Sequence, residues 1–171
     1  SFSIISSFES FHFAKPNPAF AAECLAQLGW VNQPAAIIGN SLSEDLAPAA
    51  QLGLPGFLVS SSDSSNPPVK LAPPSRQGTL DEAIDWLDEI TLTLSPPDYN
   101  TPSAILAVLR TTPAVLDTFG RALQPQCWNE PPHPGEWCFT EIICHLRDAD
   151  SEINLPRFER ILTEDNAFVA A

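Results

Sequence analysis

Blocks of apolar and polar positions in the first third of the chain predict a β-α-β order. Residues 19–28 carry apolar side chains at helical spacing, and a glycine follows them. The apolar run 35–39 predicts a buried parallel strand. A polar stretch from Asn40 then opens a second helix, and residues 56–59 predict another strand. This order is typical of an open α/β sheet, in which ligands bind at the carboxyl ends of the strands.

Proline-rich stretches interrupt the helical pattern of the remaining chain. Residues 60–78 are rich in Ser and Pro and predict a loop. Thr79, with Glu82 three residues later, has the form of a capping box, and the helix that it begins is expected to end near Leu94. Residues 95–102 form a second Pro-rich break.

The C-terminal part of the chain predicts helices only. Residues 103–123 have a helical pattern that is expected to be interrupted or restarted at Thr112-Pro113. After an irregular connector at 127–135, residues 136–141 lead into a helix that is expected to run to about Ile153. Pro156 would end or kink that helix before a last helical stretch.

Composition excludes some classes of partner. The chain has 171 residues with 21 acidic and 8 basic side chains, a net charge of −13. Nucleic acids and anionic membranes would repel such a surface, so neither is expected as a partner. No apolar run is long enough to span a bilayer, and the N-terminus has no basic region of a signal peptide.

The cysteines predict a reducing environment. Four cysteines, at positions 24, 127, 138 and 144, show no spacing typical of a zinc site or of a disulfide framework. Buried thiols in the cytoplasm are therefore the expectation. The sequence also lacks methionine, which predicts a fragment or a processed chain.

Two motifs at 15–18 and 39–45 carry the first family resemblance. The first reads Lys-Pro-Asn-Pro and the second Gly-Asn-Ser-Leu-Ser-Glu-Asp. Together they resemble the C-terminal half of the haloacid dehalogenase (HAD) superfamily of hydrolases. The resemblance implies that Lys15 balances charge between a nucleophilic aspartate and a phosphoryl group, and that the loop with Asn40 and Asp45 holds Mg²⁺. The chemistry agrees, because phosphoryl transfer needs a cation against the oxygens and Mg²⁺ favours hard oxygen ligands.

One position of this loop departs from the family pattern. The family usually has aspartate where this chain has Asn40. An amide is a weaker ligand for Mg²⁺ than a carboxylate. Either Asp45 would then contribute most of the binding energy for the metal, or metal binding would be weak. Ser41 lies in the same loop and joins Lys15 as a candidate catalytic residue.

The nucleophile motif of the HAD family has no counterpart ahead of Lys15. The family places an Asp-x-Asp motif after its first strand, and the one such motif here, at 148–150, is in the wrong half and on a predicted helix. The chain is therefore expected to enter the HAD fold midway and to be inactive alone.

A second motif resembles the DinB/YfiT-like family of four-helix bundles. Trp137, Glu141 and His145 follow that family's order of a tryptophan, a glutamate and a metal-binding histidine on one helix. The spacing of four places Glu141 and His145 on one helical face. The resemblance implies a divalent transition-metal site, incomplete here because no His-x-x-x-His pair supplies the other ligands. A helix histidine paired with Glu141 is the alternative for His145.

Together the resemblances predict two partial domains. Residues 1–94 would form an α/β, Rossmann-like HAD half-domain, 95–102 a Pro-rich linker, and 103–171 an all-α, partial DinB-like helical region. The implied function is Mg²⁺-dependent hydrolysis of a small phosphorylated substrate through an aspartyl-phosphate in the parent protein. The alternative is a non-catalytic or metal-binding interaction module. Exposed half-domain cores would favour pairing with another copy of the chain.

Overall fold

Three short parallel strands organise the N-terminal part of the chain. The structure is a computed structural model that describes residues 3–60, 71, 74–165 and 167. Strands β1 (Ile37–Gly39), β2 (Gly56–Val59) and β3 (Arg76–Gly78) form one sheet in the order β1-β2-β3. Both pairings are parallel, with Ile38 opposite Phe57 and Leu58 opposite Gln77. The predicted α/β fold class is confirmed for this part of the chain.

Two helices lie before and after β1, as the apolar pattern predicts. Helix α1 spans Pro18–Gln27, and helix α2 spans Ala47–Ala50 after a π-helical segment at Leu42–Leu46. Gly29 and Gly53 follow these helices with φ of +70°, the left-handed conformation that glycine adopts without a steric penalty.

Strand β3 lies in a stretch predicted to be a loop. Arg76–Gly78 pairs with β2 although its side chains are polar and half-buried or exposed. An edge strand of three residues is held by its backbone hydrogen bonds, so no apolar alternation marks it in the sequence. The remainder of the predicted loop lies largely outside the described residues.

Helix α3 (Leu80–Ile90) packs on the sheet through one apolar face. Thr79 and Glu82 form the predicted capping box. The helix ends at Ile90 rather than near Leu94. A cluster of buried side chains joins the helix to β2, and the Trp86 and Phe57 rings lie 5.4 Å apart between centroids. The cluster consists of Phe57, Ala83, Trp86 and Ile90.

A second buried cluster lies around α1, α2 and the start of α4 (Pro102–Ala122). Ala104 and Ala107 of α4 are buried there together with Leu25 and Leu52. Residues Ser1–Thr118 form one compact unit and Phe119–Ala171 another. The first unit therefore extends past the Pro-rich stretch at 95–102. The division into 1–94, 95–102 and 103–171 stays a prediction.

Helix α4 runs through Pro113 without the predicted interruption. Pro113 cannot donate to the carbonyl of Leu109, but both residues are exposed, so that carbonyl lies on the solvent side. The Thr111 and Thr112 hydroxyls donate to the carbonyl of Val108 at 2.9 and 3.0 Å, which adds hydrogen bonds in the turn before the proline.

The second unit is helical in its described part. A 3₁₀ turn at Pro125–Trp128 precedes α5 (Phe139–Asp148), and a π-helical segment at Ala149–Asn154 leads into α6 (Leu155–Thr163). Pro156 lies in the first turn of α6, where a missing N–H costs little. The regular elements described in this unit are all helices, and a DinB-like bundle stays a prediction.

Candidate functional site

Lys15 is placed by the start of α1. The Asn17 side chain accepts the backbone N–H of Ala19 at 3.0 Å and caps the helix, and Pro18 is the first helical residue. The sequence Pro-Asn-Pro after the lysine therefore has a local role. It begins α1 at Pro18, three residues after Lys15, and so fixes the backbone position of that lysine relative to the helix.

Lys15 and Asp45 form an ion pair at the carboxyl end of β1. Lys15 Nζ lies 2.5 Å from Asp45 Oδ1. The Asp45 side chain is 4% exposed and the Lys15 side chain 52% exposed, so a buried carboxylate holds an ammonium group that faces solvent. Two residues that the sequence motifs singled out separately are thus in direct contact.

Two backbone amides hold the other oxygen of Asp45. The N–H groups of Asn40 and Ser41 donate to Asp45 Oδ2 at 3.0 and 2.9 Å. Burial acts to raise the pKa of Asp45, but the Lys15 ammonium and these two amides outweigh it and lower the pKa below its usual value. Asp45 is therefore a carboxylate at neutral pH.

The loop after β1 contacts Asp45 through backbone N–H groups and not through the loop's side chains. Asn40 is exposed, and its side-chain amide is not the part that contacts Asp45. The Ser41 hydroxyl accepts the backbone N–H of Glu44 at 3.2 Å, which makes Ser41 the cap of the π-helical segment. The structure thus gives Ser41 a positioning role, and its role as a catalytic residue stays a prediction.

Gly39 is required by the close approach of Asp45. A Cβ atom at position 39 would overlap the Cβ, Cγ and Oδ2 atoms of Asp45. The end of β1 and the Asp45 side chain can therefore lie against each other only when residue 39 has no side chain.

A cavity of about 230 Å³ lies beside the ion pair. Lys15, Asp45 and Glu44 line one part of it, and apolar residues with Cys24 line most of the rest. Burial raises the pKa of the Cys24 thiol to about 11, with the Glu23 carboxylate as a further cause. Cys24 is therefore a thiol at neutral pH and does not act as a nucleophile in this cavity.

The hydrogen bonds to Asp45 leave few free acceptor sites for Mg²⁺. Both carboxylate oxygens already accept hydrogen bonds, one from Lys15 and the other from two backbone amides. A carboxylate has about four lone-pair sites, so an ion at Asp45 would have to share the carboxylate with Lys15 and the two amides. Among the described residues, no group of three or more His, Cys, Asp or Glu side chains is placed to hold a metal ion. Magnesium binding through Asn40 and Asp45 stays a prediction.

In the second unit, His145 packs against Trp137. The two rings meet edge to face with centroids 4.8 Å apart. Glu141 accepts the backbone N–H of Cys138 at 2.8 Å and so belongs to the capping box of α5. Metal binding by His145 stays a prediction.

Sequence reasoning missed a polar cluster around His12, Glu23 and Asp117. A lone histidine beside aromatic residues is typical of a structural role. Glu23 stands among the apolar residues that predict α1, and its position there indicates no site. The one available signal was the Glu23 charge, because glutamate is almost never fully buried without partners. The partners come from distant positions and cannot be read from local spacing.

Comparison with protein families gives a match to part of the chain. Residues 12–83, less than half of the chain, match the family described as HAD-hydrolase-like. No curated protein and no solved structure matches the chain.

The matched range contains the site geometry described above. It includes Lys15, the loop from Gly39 to Asp45, all three strands and the start of α3. Of the helices that the structure describes, none is long and apolar enough to cross a membrane. Residues 12–83 are thus the part of the chain that is similar to HAD-hydrolase-like proteins.

Proposed function

We propose that residues 12–83 are the lysine-bearing part of a HAD-like hydrolase that acts on small phosphorylated molecules. The observation that carries the proposal is the Lys15–Asp45 ion pair at the carboxyl end of β1, inside the matched range. This is the edge of a parallel sheet where ligands bind in open α/β folds.

Lys15 would be the group that meets the phosphoryl oxygens. Charge spreads over these oxygens during phosphoryl transfer, and a fixed cation stabilises it. The half-exposed ammonium is accessible, and the buried Asp45 carboxylate determines its position. Asp45 in turn is fixed by the amides of Asn40 and Ser41. In this proposal Lys15 is catalytic and Asp45 is a positioning residue.

The proposal assigns the nucleophilic aspartate to the parent protein, because no Asp-x-Asp motif precedes Lys15 in these 171 residues. The aspartate oxygen would attack phosphorus while the ester oxygen leaves and takes up a proton. Water would then attack the aspartyl-phosphate, release orthophosphate and restore the carboxylate. The dependence on Mg²⁺ that the family resemblance implies stays a prediction.

One observation favours a non-catalytic interaction module instead. Asp45 already accepts hydrogen bonds from Lys15 and two amides, so the pair forms without any ligand. A binding module that keeps the HAD-like architecture would retain such a pair for stability alone. Asn40, where the family usually has aspartate, agrees with this second candidate.

The first test is the release of orthophosphate from para-nitrophenyl phosphate by a protein that carries these residues together with an Asp-x-Asp motif. We expect Lys15→Ala to lower kcat by about 10²–10³-fold, the usual loss when one donor to a developing anion is removed. Arg110→Ala is the matched control, because Arg110 is an exposed cation on α4 that lines neither cavity beside Lys15, and its loss should leave kcat unchanged.

Two outcomes decide between the candidates. Equal rates for Lys15→Ala and the unsubstituted protein would contradict the hydrolase proposal, and a complete lack of turnover would support the interaction module. The 171-residue chain by itself should release no orthophosphate. If this chain did release orthophosphate and Lys15→Ala abolished that release, the nucleophile would lie within these 171 residues.

A further inference from the structure

The His12 ring lies between two carboxylates from different helices. Its Nδ1 atom is 2.9 Å from Glu23 Oε1 on α1, and its Nε2 atom is 3.0 Å from Asp117 Oδ2 on α4. Glu23 on α1 and Asp117 on α4 are thus the charged groups hydrogen-bonded to the ring. The ring therefore joins the N-terminal segment to two helices far apart in sequence.

Glu23 is the buried member of this cluster. Its side chain is 0% exposed, whereas the His12 and Asp117 side chains are 36% and 41% exposed. The backbone N–H groups of His12 and Phe13 donate to its oxygens at 3.1 Å, and Gln27 donates at 3.3 Å. A buried carboxylate is stable only with such donors, so Glu23 ties the backbone at 12–13 to α1.

The two ring contacts together require the charged form of His12. A neutral imidazole has one N–H, so it can donate to only one of two carboxylates that flank it. The imidazolium has two N–H groups and donates to both. Loss of one proton must therefore break or weaken one of the contacts, whichever nitrogen loses it.

We propose that His12, held as an imidazolium between Glu23 and Asp117, is a proton-dependent clasp that positions the segment carrying Lys15. Lys15 follows His12 by three residues, and both line a cavity of about 330 Å³. Opening of the clasp would free this segment from α4 and change where the Lys15 ammonium lies. The suggestion that the clasp regulates activity rests on the proposed function. The proton-dependent contact itself does not depend on that function.

The pKa of His12 agrees with this geometry. Hydrogen bonds to Glu23 and then to Asp117 raise the pKa above its ordinary value of 6.5, although burial opposes them. A histidine with a raised pKa in the folded state stabilises the fold fully below its unfolded pKa. That contribution disappears as the pH rises through the higher folded value. The clasp is thus closed at low pH and opens toward alkaline pH.

The test is a nuclear magnetic resonance titration of the labelled 171-residue chain without substrate, from about pH 5 to about pH 9, the range in which histidines titrate. It follows the His12 ring and the backbone amides of residues 13–15. We expect the amides to shift with the same midpoint as the ring. Because no substrate is present, failure of the hydrolase proposal would leave this result untouched.

Asp117→Asn is the main variant, since it removes a half-exposed charge and leaves the buried Glu23 in place. The ring midpoint should move to lower pH, and the amide midpoint should follow it. His12→Gln should abolish the amide shifts. His133→Gln, on the exposed connector, is the matched control and should leave both midpoints unchanged.

Either of two results would overturn the clasp. One is a ring midpoint that is the same in the Asp117→Asn variant and in the unsubstituted chain. The other is a set of amides that do not follow the ring, which would leave His12 as a paired histidine without influence on the Lys15 segment.

Discussion

A single missing side chain decides the geometry around Asp45. In a β-strand glycine usually destabilises, because it loses backbone freedom and packs nothing. At the end of β1 glycine is instead the more stable residue, since Asp45 occupies the place that a Cβ at position 39 would take. The neighbour is the side chain of a buried carboxylate held by three donors, and it cannot move away freely.

Gly39→Ala should therefore lower the free energy of unfolding by about 1–3 kcal/mol, as for overpacked sites. The measurement is urea unfolding followed by circular dichroism. Gly135→Asn is the control, because position 135 has open space and Asn tolerates positive φ. A stabilised Gly39→Ala protein would mean that Asp45 does not lie against the strand end.

At the residue scale the sequence motifs named Lys15 and Asp45 as candidate site residues but did not predict that their side chains are in contact. Lys15 and Asp45 were expected at one site, and they form an ion pair. Asn40 and Ser41 were expected to contribute side chains, and the structure shows backbone N–H donation from both. Backbone donors leave no trace in residue identity, so a sequence motif cannot distinguish the two roles.

At the element scale, the capping box of α3 was predictable because it is local. The Thr79 hydroxyl accepts the N–H of Glu82 at 3.3 Å, and Glu82 accepts the N–H of Thr79 at 2.7 Å. The helix that they begin carries Trp86 and Ile90 into the core with Phe57. The cap therefore supports the packing of the sheet as well as the helix.

Thr79→Ala should destabilise the chain by about 1 kcal/mol, the usual cost of losing a side-chain cap. Thr79→Ser keeps the hydroxyl and should restore most of the stability. Thr79→Ser is also the matched control, because it differs from Thr79→Ala in the capping hydroxyl. Equal unfolding midpoints for Thr79→Ala and Thr79→Ser would show that the cap contributes nothing.

Elements that depend on distant partners were predicted less well. Strand β3 is polar, and only its pairing with β2 makes it a strand. Helix α4 continues through Pro113 because the affected turn faces solvent and buried Ala104 and Ala107 fix the helix start in the first unit. Local propensity describes neither of these tertiary effects.

At the scale of the whole molecule, the net charge of −13 is the dominant property. Repulsion among like charges destabilises a compact state more than an expanded one. Added salt screens it, since the Debye length falls from about 30 Å at 0.01 M to about 10 Å at 0.1 M.

We therefore expect the urea midpoint at pH 7 to rise over that range of NaCl concentration. The same experiment near the isoelectric point of about 4.3 is the control, and there the salt effect should vanish. A midpoint that falls with salt at pH 7 would mean that favourable ion pairs outweigh the overall repulsion.

The Lys15–Asp45 pair also has a consequence for the rate at which an anion arrives. Because Asp45 neutralises Lys15 at close range, the lysine adds almost nothing to the field far from the surface. An approaching phosphorylated molecule would then meet a protein of net negative charge, which repels it at long range. Its encounter would therefore be slowed by long-range repulsion, and the encounter rate would rise with added salt. Capture would then depend on short-range exchange, in which the phosphoryl group replaces the carboxylate as the partner of the ammonium.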